Sequence, residues 1–309
     1  MPATSGPKSV PKTGTILGEM AKPPFAVLPD PRSLFEGRSR RLAALAPGHR
    51  LEPYLWFLAE VTHAQHDVAV ASDLPPALLP PAAHIAQALE HGMPPISRAL
   101  LEPDAGAMTA VQRLLDRLAL VDVPSPTAAA IAGLRAASPD ERRRKAQEAL
   151  MDSEPADDLA QRALLAAGLQ VHFARLAAQL PADALKLVAD SACPVCGSPP
   201  MTSAVVGWPK AHNTRFCACS LCAAMWNVVR LKCLLCGSTD GISFREVEGS
   251  ASVKAETCEK CRGYVKILYQ VNDASLEPMA DDVATLGLDM LLAEEGWKRG
   301  GHNPFLLGY

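Results

Sequence analysis

The sequence predicts an α+β protein of several domains: an N-terminal irregular α-helical bundle, two tandem four-cysteine modules and a C-terminal helix. Three observations predict it. All nine cysteines of the 309-residue chain lie between Cys193 and Cys261, eight of them in four C-x-x-C pairs. Before residue 190 there is no cysteine, and alanine and leucine dominate. After Cys193 the apolar periodicity shortens to two, the spacing of strands.

Residues 1–20 read as a flexible tail, and Lys22 to Pro31 as a proline-rich lead-in to a helical domain over residues 21–190. Asp30-Pro31 has the form of a helix entry, an N-cap carboxylate followed by proline at the first helical position. Leu51, Leu55, Leu58 and Thr62 share one face at three-to-four spacing, as do Leu165, Leu169, Leu176 and Leu180. Prolines at 75, 76, 80, 81, 94, 95, 124 and 126 divide the region into short and medium helices. Arg38, Arg40 and Arg41 make the first helix basic; a solvated face is the reading, with docking of an acidic partner as the alternative. His63 and His66, three apart, are read as ordinary surface or core histidines because no third ligand stands at a matching interval.

The pairs Cys193/Cys196 and Cys219/Cys222 are separated by 22 residues, and Cys233/Cys236 and Cys258/Cys261 by 21. A two-residue gap lets both sulfurs of a pair point into one turn, so two opposed turns complete a tetrahedron around one metal ion. Two metal ions per chain are expected, one on Cys193, Cys196, Cys219 and Cys222, the other on Cys233, Cys236, Cys258 and Cys261. Sequential pairing closes shorter loops than interleaved pairing and costs less entropy. Tetrahedral thiolate suits iron and zinc alike.

Trp226, Val228 and Arg230 alternate with Asn227, Val229 and Leu231, and Val265, Ile267, Tyr269 and Val271 with Lys266, Leu268 and Gln270. Short strands between cysteine turns describe a rubredoxin-like or zinc-ribbon-like unit, here repeated over residues 191–232 and 233–275. Each is too small to bury a full core, so metal binding is expected to supply much of its folding free energy. Residues 276–309 return to helix and tail, with Val283, Leu286, Met290 and Ala293 on one face and Lys298 and Arg299 past its end, where they suit the helix dipole. Cys217 precedes Cys219 by two, the wrong gap for a pair, and reads as a free thiol; His212 stands where it can hydrogen-bond a thiolate.

Composition narrows the function. Hydrophobic residues make up 49% of the chain and charged residues 20%, enough apolar material for a sizeable core. No run is long enough to cross a membrane and the first twenty residues hold no apolar stretch, so no membrane insertion and a cytoplasmic location are expected. Reducing conditions there keep thiols free for metals. Residues 191–275 hold nine Lys/Arg against six Asp/Glu, and the whole chain is formally −3. Two four-thiolate sites with divalent ions would make that region slightly negative, so no nucleic-acid partner is expected. There is no Walker loop, G-x-S-x-G, H-E-x-x-H or dinucleotide fingerprint. Four cysteines also close a metal's coordination shell, so the expectation is a non-enzyme with no catalytic residues.

Five stretches together resemble the FdhE family of formate dehydrogenase accessory proteins. They are Cys193-Pro-Val-Cys-Gly-Ser, Val229-Arg-Leu-Lys-Cys233, Lys254-Ala-Glu-Thr-Cys-Glu-Lys-Cys261 with Tyr264, Lys266 and Tyr269-Gln270, Glu277-Pro-Met-Ala-Asp-Asp282, and Asn303-Pro-Phe-Leu306. The resemblance spans residues 191–309 and, more loosely, the helical half around Tyr54-Leu55 and Ala64-Gln65. It implies a cytoplasmic factor for formation of active respiratory formate dehydrogenase. Such a factor would contact the molybdenum- or tungsten-containing catalytic subunit before export and carry rubredoxin-like iron. Cys217 and the tail before residue 20 depart from the family pattern, so no role is carried to either. A rubredoxin-like electron carrier is the alternative, and a nucleic-acid-associated ribbon protein a weaker one.

Overall fold

A computed structural model describes residues 22–151, 158–247 and 252–306. The expected tail over residues 1–20 lies outside them. A short strand β1 (Ala26–Val27) precedes helices α1 (Pro31–Leu45), α2 (Glu52–Val70), α3 (Ala82–Glu90), α4 (Ala105–Leu118), α5 (Ser125–Ala136), α6 (Pro139–Leu150) and α7 (Leu159–Ala177). Asp30 caps α1 by accepting from the Arg32 N–H at 3.0 Å, and Pro31 opens it. Helix α7 is the axis of the bundle, packing against α2, α4, α5 and α6. Leu164, Leu165, Ala167, Leu169, Val171 and Phe173 are all buried, which requires apolar partners all round. At Gly168 a Cβ would stand 2.7 Å from Val111, so this crossing with α4 admits only glycine. Leu55, Leu58 and Thr62 are buried as their spacing predicts, whereas Leu51 lies at the N-cap of α2.

Strands β2 (Pro200–Val206), β3 (Thr214–Cys219) and β4 (Met225–Asn227) form the first cysteine module, and β5 (Ile242–Arg245), β6 (Val253–Cys258) and β7 (Gly263–Leu268) the second. Helices α8 (Pro278–Ala284) and α9 (Leu286–Glu294) and strand β8 (Lys298–Arg299) follow. The two modules are not separate ribbons. They share one mixed sheet of order β1-β4-β3-β2-β7-β6-β5, with β8 also on β7. The joint is a parallel pairing of β2 with β7, Ser203 opposite Ile267 and Ala204 opposite Leu268. Arg215 on β3 reaches across to Glu256 on β6 in a buried two-pronged ion pair, 2.7 and 3.1 Å, and also donates to Ser203 Oγ on β2. The modules, each expected to be too small for a full core, are fused to one another through this joint. The lead-in contributes β1, which adds to the β4 edge with Ala26 opposite Trp226.

Four expectations are corrected. The strand expected over Trp226–Leu231 ends at Asn227, because β1 pairs only with Met225 and Trp226 and leaves Val229 and Leu231 exposed. The single C-terminal helix is two, broken at Thr285. There the buried ammonium of Lys266 donates to the carbonyls of Asp282 (2.8 Å) and Thr285 (3.1 Å), the latter also accepting from the Leu288 N–H (3.0 Å). Arg38 and Arg41 are not a solvated face. Arg38 is 3% exposed and donates to Glu277 at 2.9 Å, and Arg41 grips Asp281 at 2.6 and 2.9 Å; Arg40 alone of the three stays exposed, paired with Glu36. These pairs tie α1 to the start of α8. Arg299, expected to answer a helix dipole, instead enters β8 and pairs with Asp282 and Asp289.

Candidate metal centres

Each cysteine pair sits on a tight knuckle whose backbone closes on itself. In the first, the Cys193 N–H donates to the Ser198 carbonyl (2.8 Å) and the Gly197 N–H to the Cys193 carbonyl (2.9 Å). The Cys233 knuckle repeats this with Ser238 and Gly237, again 2.8 and 2.9 Å. The repeated C-x-x-C-G-S text thus encodes a repeated turn. In all four knuckles the residue after the second cysteine has positive φ: Gly197 (76°), Ala223 (59°), Gly237 (75°) and Arg262 (55°). Glycine takes this left-handed conformation without strain; Ala223 and Arg262 accept it at a cost of about 1 kcal/mol each. Arg262 is held there by its guanidinium, stacked 3.9 Å over the Trp297 ring and donating to the Glu295 carbonyl.

The structure brings the eight pair cysteines into two groups, Cys193 with Cys196, Cys219 and Cys222, and Cys233 with Cys236, Cys258 and Cys261. Within each group the sulfurs lie within 4.8 Å of one another. Cys193 and Cys222 are 3.6 Å apart and Cys196 and Cys219 3.4 Å; Cys233 and Cys261 are 3.8 Å apart and Cys236 and Cys258 3.7 Å. A tetrahedron of thiolates with metal–sulfur bonds of about 2.3 Å has edges of about 3.8 Å. The donor set and spacing therefore fit a four-coordinate ion, and each group can hold one. Cys217 is buried but belongs to neither group. It lies on the same face of β3 as Cys219, one pleat away at roughly 7 Å, and burial pushes its thiol up to about 12. His212 is exposed, and no histidine belongs to either group. The rings of His63 and His66 stack 6.5 Å apart with no third ligand among the described residues.

Electrostatics in the first group favour a cation. Burial pushes the thiols of Cys193 and Cys222 well up. Burial also opposes ionisation of Cys196, but hydrogen bonds from the three other thiols and Ser198 outweigh it and bring Cys196 well down. Ionisation is thus favoured at Cys196 and opposed at Cys193 and Cys222. Four together in the core need a positive charge at their centre.

Side chains not singled out in the sequence anchor these knuckles. Gln170 on α7 donates to the Ser220 carbonyl, inside the Cys219 knuckle, at 2.8 Å, and accepts from Gln65 on α2 at 3.0 Å. The N–H groups of Ile96 and Arg98 donate to the carbonyls of Val195 and Cys196, 3.1 and 2.9 Å. The first centre is thus fastened to the helical bundle at both knuckles. The second is seated by Leu235, between Cys233 and Cys236, which fills the space over Gly263 and Gly300; a Cβ there would come within 2.4 and 2.3 Å of it. Beneath that strand Lys266 lies buried with Asp282 (3.3 Å) and Asp289, while Arg299 pairs with both carboxylates. Tyr264 and Asn303 donate to the same pair, each at 2.8 Å. A lysine inside the apolar run Tyr264-Val-Lys-Ile-Leu268 was the available signal for this network.

Comparison with known proteins agrees with the residues. The FdhE N-terminal family model matches residues 23–190, the central-domain model 192–230 and the C-terminal-domain model 231–306. A protein FdhE homolog of Rhizobium meliloti (strain 1021) is 40% identical over 298 residues, spanning 96% of this chain and 97% of its own. One from Stutzerimonas stutzeri (strain A1501) is 39% identical over 298 residues, spanning 95% of each. The crystal structure of the FdhE protein from Pseudomonas aeruginosa has a similar fold, with a TM-score of 0.82 at 31% identity over 93% of this chain and 99% of that one. From its knuckles to its helical bundle, the chain belongs to the FdhE family.

Proposed function

We propose that this protein is an accessory factor in the formation of respiratory formate dehydrogenase, binding the catalytic subunit in the cytoplasm before export and carrying two thiolate-bound metal ions. The observation that carries the reading is the pair of closed four-cysteine groups in a chain that matches FdhE proteins over nearly its whole length. Four protein sulfurs leave no coordination position for formate or water, so formate chemistry belongs to the client and not to this chain. A metal in these groups, iron by the resemblance, supplies cross-linking of the knuckles and one-electron chemistry when bound. Arg38 and Arg41 are paired with Glu277 and Asp281, which counts against the alternative reading of these arginines as a docking face for an acidic partner.

The rubredoxin-like electron-carrier reading has one specific observation in its favour, the exposure of Cys236. A deletion strain expressing the enzyme separates the two. Loss of formate dehydrogenase activity, with co-purification of the catalytic subunit on the tagged protein, is the expected result. Normal enzyme activity in the deletion strain would refute the accessory role. Activity restored by a variant that binds the client but no longer cycles its visible chromophore would remove the electron-carrier reading.

A further inference from the structure

The two groups differ in access. The first lies in the main core, with Cys193, Cys196 and Cys222 at 0% exposure and Cys219 at 1%, and both its knuckles are bonded to the helical bundle. In the second, Cys233 and Cys258 are buried, but Cys236 is exposed and Cys261 half-buried. Their following residues, Gly237 and Arg262, are exposed as well, so the outer half of this group is only partly covered by the described residues. Nothing in the repeated spacing anticipates this difference.

We propose that the second group is the protein's exchange site, where a metal ion is given up to and taken from external soft ligands such as thiols, while the first group holds its ion permanently as a fastener between helices and sheet. The inference rests on the reading that both groups hold metal. Exchange needs an incoming ligand to reach the ion or a proton to reach a bound sulfur. Both are open at Cys236 and Cys261 in the folded protein. The step is a ligand swap without redox change: the Cys236 sulfur releases the ion and takes the proton that the incoming thiol loses, as that thiolate fills the position. At the first group the same step must wait until the helical bundle parts from the sheet, an opening close to global unfolding.

The test uses the full chain loaded with zinc to two ions, with the ion count measured first. Fewer than two ions would refute the metal reading itself and this assignment with it. Given two, excess 4-(2-pyridylazo)resorcinol should remove one equivalent at least about tenfold faster than the other, since local opening precedes global opening. Iodoacetamide added after the fast phase, followed by peptide mass spectrometry, should label Cys233, Cys236, Cys258 and Cys261 and spare Cys193, Cys196, Cys219 and Cys222. Release of both ions in a single phase, or first labelling on the Cys193 group, would overturn the proposal. The Cys236→Ser variant gives an independent check: it should keep one ion, held at the slow rate. Loss of both ions in a variant that retains the helical content of the parent would also overturn it.

Discussion

Replacing Lys266 by methionine tests how the C-terminal segment is held under the second centre. Lys266 and Arg299 face Asp282 and Asp289, two positive charges against two negative, with side chains between 0% and 10% exposed. Methionine keeps most of the volume but leaves one negative charge unbalanced in the interior. It also strips the donor from the Asp282 and Thr285 carbonyls and from Thr285 Oγ1, which Lys266 reaches at 2.8, 3.1 and 3.0 Å. Removing one partner from a buried ion pair costs about 3–5 kcal/mol, and the charge-assisted bonds here place the loss in the upper half of that range. Burial by itself would raise Asp282; the charges of Lys266 and Arg299 and bonds from Asn303 and Arg299 outweigh it and hold the carboxyl below its ordinary 3.8. A lowered carboxylate contributes stability above its unfolded value that is lost as pH falls through the folded one. Without Lys266 part of that contribution is gone, so the gap between variant and parent is widest near neutral pH and closes as pH falls below 3.8 through the lower folded value. Urea unfolding followed by circular dichroism, with metal content checked before each titration, measures it. Adding Asp289→Asn restores charge balance and should recover about 1–2 kcal/mol. A Lys266→Met protein within about 1 kcal/mol of the parent at neutral pH, or a double variant no better than the single, would refute the reasoning.

Cys219→Ser removes a soft thiolate from the first group and should release its ion and loosen the bundle from the sheet, whereas Cys217→Ser should keep both ions; elemental analysis decides, and equal metal loss in both variants would return Cys217 to the ligand set. His172, buried 3.6 Å from Asp104, is lowered from 6.5 mainly by burial, with Arg175 adding to it and Asp104 opposing. Its neutral form therefore contributes stability above pH 6.5 that falls away as the pH drops below it. The His172→Gln variant should show a shallower decline than the parent between neutral and mildly acid pH in denaturant midpoints, and identical slopes would exclude this histidine.

Much of the site was legible because its information is local. A C-x-x-C pair defines a knuckle within six residues, and near-equal separations already favour pairing Cys193/Cys196 with Cys219/Cys222 and Cys233/Cys236 with Cys258/Cys261. The helix entry at Asp30-Pro31 and the buried face of α2 were legible for the same reason, since backbone geometry and apolar spacing are set by near neighbours, whereas the burial of α7 on every side was not. The absence of a catalytic signature and the family resemblance also came from short runs of sequence.

What only the tertiary structure decided involves residues far apart in the chain. Arg38 and Arg41 look like solvent charges until α8 places Glu277 and Asp281 against them, some 240 positions away. Lys266 reads as the polar side of a strand until Asp282, Thr285 and Asp289 of the α8–α9 segment meet it on a strand buried along its whole length. The fusion of two ribbons depends on a parallel β2–β7 contact of two residues, too short to leave a periodic signal. The difference between the two metal groups has the same origin. The shared C-x-x-C spacing specifies similar ligand geometry, but solvent access is set by what packs outside the knuckle: among the described residues the helical bundle is bonded to both knuckles of the Cys193 group, whereas Cys236 stays exposed.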